Sequence, residues 1–314
     1  MVKIRYFIAG ILFTTMLVSS SFGIAGIGFH WGKDLTLQME DVDQEWLSFE
    51  NLVIDHSNIP GTLPPEITEI TGSDLPIFLS RKNWEATPVN LGGKVFIDVI
   101  PFLNCLELSV NYGLWQYDGK LAYPTSMSVK NGVDYAAVKN PEDLFDVQYD
   151  TIPLTLKEFS GIDVGGLTGT PYMKLQFDLT VRKYLLKLPP VVNILKIYGG
   201  GGLSLHFATP ILHKKIIEDA LGKTLENSFS LTELDGDLFS NDELMKNILE
   251  EITSRMMTPH MGMHFDLGAS VKVPIIPLGV YVDGKFMIPF GQMDENVDIG
   301  GYGLLLNFGL SLSI

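Results

Sequence analysis

The chain has 314 residues, 46% of them apolar and 19% charged, with 37 acidic against 22 basic side chains and a formal net charge of −15. That surplus of carboxylates excludes a nucleic-acid binder, since phosphate backbones are held by Lys and Arg, and the apolar share excludes a disordered chain. Mean hydropathy is positive, yet no internal run approaches the ~18 consecutive apolar residues of a membrane helix, which leaves a β-rich soluble core or a barrel.

The chain opens with Lys3 and Arg5, a mostly apolar stretch from Tyr6 to Val18, and the small residues Ser19, Ser20, Ser21 and Gly23. This order predicts a secretory signal over residues 1–23 and an exported chain over 24–314. Cys105 is the only cysteine, so an intrachain disulfide is excluded and strand pairing and packing must hold the fold.

The next residues set a period of two, the signature of a strand with one apolar face. Ala25, Ile27, Phe29 and Trp31 alternate with Gly26, Gly28 and His30. Residues 32–92 read as a long acidic loop that includes Asp34, Glu40, Asp41 and Asp43. Val95, Ile97 and Val99 then oppose Phe96 and Asp98, and a short proline-bearing turn, 101–105, leads into Leu106, Leu108, Val110, Tyr112 and Leu114. A second long loop, 118–172, separates these from Leu175, Phe177, Leu179 and Val181. Another short turn, 186–193, precedes the alternation of Leu195 to Phe207.

The third long loop, 208–261, carries two helical patterns. Thr209 and Pro210 suit an N-cap and first-turn proline before a stripe of Ile211, Leu212, Ile216, Ile217, Ala220, Leu221 and Leu225. Ser240 and Glu243 suit a capping box before Leu244, Met245, Ile248, Leu249, Ile252 and Met256. The pair is expected as a packed lid over the barrel mouth; helices lying on a membrane are the alternative. Phe265 to Val273 and Leu278 to Ile288 flank the turn 274–277, and after a loop at 291–299 the row Tyr302, Leu304, Leu306, Phe308, Leu310, Leu312 and Ile314 ends the chain.

Eight such strands with alternating short and long connections predict an all-β fold: a transmembrane, antiparallel, up-and-down β-barrel. The alternations Leu35, Leu37, Met39 and Ile152, Leu154, Leu156 suit strands continuing above the membrane, or a count of ten. In periodicity and topology the chain resembles small bacterial outer-membrane β-barrel proteins, over roughly a hundred residues of strand and without a family motif. The resemblance implies a bacterial outer-membrane location with both termini in the periplasm, and outer-membrane lipid and the assembly machinery as partners. It implies no cofactor.

The inward positions of these strands would carry Asp98, Glu107, Asp178, Arg182, Lys196, Asp266, Lys272, Asp283 and Lys285, with Tyr198 and Tyr281 among them. Symmetry about the 274–277 turn sets Asp266 opposite Lys285. The charges are either a salt-bridge network filling a narrow barrel or a gated ion path, and we take the first. Inward glycines either make room for Phe96, Trp115, Tyr198 and Tyr281 or leave a ligand pocket. His30, His206 and His264 are candidate metal ligands, with hydrogen-bonded lumenal histidines as the alternative. Asp235, Asp237, Asn241, Asp242 and Glu243 resemble part of a calcium loop, although Phe239 stands at a ligand position.

No G-x-S-x-G, H-E-x-x-H or P-loop sequence is present. The expectation is a non-enzymatic outer-membrane anchor whose acidic loops meet an extracellular partner or small ligand. A transport or uptake barrel with a glycine-lined lumen and helical lid is the alternative.

Overall fold

A computed structural model describes residues 25–35, 37–48, 53–54, 70–71, 74–100, 104–155, 157–158, 167–188, 194–225, 242–256, 258–273, 276–291 and 302–313. The predicted signal at 1–23 and the acidic residues 235–241 lie outside the described residues, as do the side chains of Asp242 and Glu243. In chain order the strands are β1 (Ala25–Asp34), β2 (Val42–Trp46), β3 (Val53–Ile54), β4 (Ile70–Thr71), β5 (Phe78–Ile100) and β6 (Asn104–Val129). A 3-10 turn (Tyr135–Ala137) and α1 (Pro141–Leu144) precede β7 (Phe145–Pro153), β8 (Thr170–Leu188) and β9 (Leu195–Ala208). Then come α2 (Lys214–Leu225), α3 (Asp242–Met256), β10 (His260–Lys272), β11 (Leu278–Pro289) and β12 (Gly303–Ser313).

Eight of these strands close an antiparallel barrel in the order β5-β1-β12-β11-β10-β9-β8-β6, with β6 returning to β5. The terminal strand pairs with β1 on one side and β11 on the other, as closure of an up-and-down barrel requires. Leu304 follows its partners around the wall through Phe286, Phe265, Gly201, Val181, Leu106 and Ile97 to Ala25. On its other side, Leu304 accepts the N–H of Leu35. The circuit therefore climbs ten residues along β1. Eight strands with that stagger tilt by about 40° and leave an interior only wide enough for side chains.

Two strands outside the closed ring correct the loop assignments. β2 pairs with the upper part of β5 and β7 with the upper part of β6, so much of 32–92 and 118–172 is strand. β5 has 23 residues and β6 has 26, about twice the 9–11 that cross a bilayer. Their upper halves, with β2 and β7, form a tall four-stranded sheet. Its apolar core joins Leu79 and Leu121 to Phe145, Ile216, Ile217 and Ala220 of α2, and Ile248 of α3. Along β6 one face runs without interruption from Glu107, Ser109 and Asn111, through Trp115 and Tyr117, to Leu121 and Tyr123, all of them buried.

The helices therefore lie against this sheet, and the mouth below them is filled by other residues. Thr209 does not cap α2: its N–H and hydroxyl bond the backbone of Met173, prolonging the β8–β9 ladder. The helix begins four residues beyond Pro210, after Arg81 donates to the Leu212 carbonyl at 2.7 Å and the Leu212 N–H donates to Tyr117 Oη at 3.0 Å. Arg255 of α3 reaches Asp219 of α2 at 3.0 Å.

His213 is buried at the root of α2, and burial together with Arg255, Arg81 and Lys215 lowers its pKa from the ordinary 6.5 to about 4. A histidine held below its unfolded value contributes stability that is present above about pH 6.5 and lost as pH falls toward 4. Full protonation costs the lobe on the order of 3 kcal/mol. We expect helical ellipticity to decline over that window while strand signal persists, and His213→Gln to remove the dependence; an unchanged profile in the variant would assign it to other groups.

Candidate functional site in the barrel lumen

The predicted inward set does face the lumen. Glu107, Asp178, Arg182, Tyr198, Asp266, Tyr281, Asp283 and Lys285 are buried there. Asp98, Lys196 and Lys272 line the lower end, the end opposite the tall sheet. Asp266 pairs in register with Lys285, as the turn symmetry requires, but the two do not form the ion pair. Lys285 instead crosses the lumen to Asp178 at 2.7 Å and Ser109 at 2.6 Å. Asp266 is taken by Arg182, whose guanidinium also binds Glu107 and lies 3.5 Å from Asp283. In so narrow a barrel a long side chain reaches the opposite wall.

The contacts join all eight strands. Asn307 of β12 donates to Asp283 of β11 at 2.9 Å, and Lys94 of β5 lies 3.5 Å from Asp283 and 3.1 Å from Glu107 of β6. Asp178 of β8 accepts from Ser204 of β9 and from Asn111 of β6. His30 of β1 bonds Asn111 at 2.6 Å and Tyr281 at 2.8 Å, and Lys94 sits 3.4 Å from the centre of the Tyr281 ring. His264 of β10 bonds Thr180 and Ser204.

Three members were not anticipated. Lys94, Lys174 and Asp34 each continue an inward row by one or two steps beyond the alternation assigned to their strands. Lys174 binds Asp34 at 3.1 Å below the mouth. Carrying the period of two one residue pair further would have placed Lys94 and Lys174 inside. With them, Lys94, Lys174, Arg182, Lys196, Lys272 and Lys285 are interleaved along the lumen with Asp34, Asp98, Glu107, Asp178, Asp266 and Asp283.

The three candidate histidines are buried but do not converge. His30 and His264 each spend both ring nitrogens on the partners above, and among the described residues no group of three His, Cys, Asp or Glu is disposed to hold a metal. Four of the inward glycines make room for aromatics. A Cβ on Gly26 would lie 2.3 Å from the Phe96 ring, on Gly113 2.4 Å from Trp115, and on Gly268 and Gly309 2.7 Å from Tyr198 and Tyr281. Among the described residues, cavities of about 60 Å³ at the lower end and about 20 Å³ beneath the mouth remain, which suit a few waters. Trp115, Tyr117 and Tyr172 are packed with Trp84, Leu37, Met39 and Ile211 across the mouth.

No protein-family model matches the sequence, nor does any curated protein.

Two outcomes test this arrangement. Arg182→Met strands Asp266 without its cation, leaves Glu107 to Lys94 alone, and is expected to cost about 3–5 kcal/mol, read as a fall in the temperature at which the compact form is lost on gels. The double variant R182M/D266N, which removes the orphaned charge as well, should recover most of that loss. Gly309→Val would set a branched side chain 2.3 Å from the Phe29 carbonyl and should destabilise by about 1–3 kcal/mol or more. Gly291→Val, with nothing within 4 Å, should be neutral in the same assay.

Proposed function

We propose that the chain is a non-enzymatic integral protein of a bacterial outer membrane, whose barrel anchors and displays the folded lobe built on β5 and β6 as an interaction surface. The observation that carries this reading is the outside of the barrel. Large apolar side chains stand exposed on every strand of the ring: Phe29 and Trp31, Val95 and Ile97, Leu108, Leu179, Leu203, Phe265 and Leu267, Val282, Phe308 and Leu310. Phe29 is 68% exposed and Leu267 63%. A soluble protein does not leave so large a continuous apolar surface in water. Lipid satisfies it, and closure leaves no strand edge unpaired within the belt.

The interior supports an anchor over a conduit. Charges of both signs are interleaved along the lumen, ion pairs cross-link its wall, and the mouth is filled by aromatic rings. In this orientation the lobe stands on the cell surface, the termini lie in the periplasm, and outer-membrane lipid and the assembly machinery are the partners that folding requires.

Planar-bilayer recording and density-gradient flotation test the two halves of the proposal. We expect the purified chain to float with phospholipid vesicles and to give no steady conducting level. Steady openings would replace the anchor with a transport barrel, and recovery of a folded chain in the aqueous fraction would remove the membrane assignment.

A further inference from the structure

The ring of strands is interrupted beside one segment of β5. β1 stays on β5 as far as Trp31 opposite Leu91, and β2 meets β5 again at Val42 opposite Arg81. Between Arg81 and Leu91 that side of β5 has no strand partner among the described residues. The segment 37–41 runs alongside instead. Asp41 accepts the Asn83 N–H at 3.0 Å, and the Leu37 carbonyl accepts from Trp84 Nε1 at 3.2 Å.

A groove of about 710 Å³ occupies the gap, a size at which small-molecule sites are built. The partly exposed Trp84 indole lines it, stacked at 6.3 Å and 13° on the buried Trp115. Exposed Gln38, Glu40 and Asn83 stand on the rim, with Lys33 at the lower lip. A flat indole held rigidly by a second ring offers a face for the C–H side of a sugar ring. Amides, carboxylates and an ammonium around it offer both donors and acceptors to hydroxyls. A hydrocarbon chain would leave that rim desolvated without partners, and a polyanion would face Glu40 and Asp41. The lower lip adds a second constraint. Lys33 and Leu35 continue the outward row of Ile27, Phe29 and Trp31 along β1, so the groove opens directly above the apolar belt.

We propose that this groove is a saccharide-binding site, and that its saccharide is the head of an uncharged glycolipid in the leaflet surrounding the barrel. The source of the sugar rests on the membrane reading given above. In that geometry the acyl chains run down the β1 face while the head turns inward over Trp84.

The test reconstitutes the full chain into phosphatidylcholine discs with or without a neutral diglycosyl diacylglycerol. It then measures the glycolipid retained per chain by native mass spectrometry, with the free disaccharide as a separate arm. Wild type should retain the glycolipid and bind the free disaccharide at least about tenfold more weakly. Trp84→Ala should lose about tenfold in affinity, the equivalent of 1.4 kcal/mol. Ala86→Trp, which fills the groove from an exposed position, should lose as much without disturbing the stacked rings. Equal retention by wild type and Ala86→Trp overturns the site, and equal affinity for the free disaccharide overturns the glycolipid as its source. Flotation of the same samples separates the two proposals: a chain that floats but shows no preference for the glycolipid overturns the groove alone, and a chain that fails to float overturns the membrane reading.

Discussion

Arg182 stands where carboxylates from three other strands converge, and its position follows from the width of the barrel. Eight strands with a stagger of ten residues leave no room for bulk water around a charge, so each buried ion must find its counter-ion among the other lumenal side chains. Glu107, Asp266 and Asp283 arrive from β6, β10 and β11, and Lys94 binds two of the three from β5. Single contacts of this kind add little net stability, because desolvation offsets attraction. What they specify is register. A one-residue slip of any strand would turn its charge outward and leave its partners buried and unpaired.

The lobe depends on the same continuity. β6 passes from a charged face to an aromatic one and then to an aliphatic one without leaving the sheet, so the barrel wall and the lobe share a backbone. Trp115 and Tyr117 mark the change of solvent, from an interior neutralised by pairing to one that is simply apolar. Because the tall sheet grows out of the ring, the lobe is held in a fixed orientation rather than on a tether.

The eight strand cores were legible because the outer face is uniformly apolar and the inner one small or polar, which gives an unbroken period of two. The β10–β11 register was legible from a proline-bearing turn, and the pairing of glycines with aromatics from their shared inward face. The upper strands were not. On β5 the register shifts between Lys82 and Glu85 and again between Ala86 and Asn90. Inward residues consequently change from Lys94, Phe96 and Asp98 to Leu79 and Arg81, and the pattern loses phase. Asn83, with φ of +57°, sits within the first shift. The ends of the inward rows failed for a simpler reason: at Asp34, Lys94 and Lys174 a charge beside a loop reads as loop.

The lumenal network also bears on the order of events during assembly. Its contacts reach the first strand of the ring through His30 and the last through Asn307, so the network is complete only when the ring has closed. A partly formed sheet presents Arg182, Lys285 and the lumenal carboxylates to water on one side, which keeps the incomplete chain hydrated and resists its collapse. The meeting of β1 with β12 removes that water and completes the pairing in the same step. Zipping the last seam and drying the interior are thus one event, and the charges that look like ballast in the finished barrel act as its solubilising face until then.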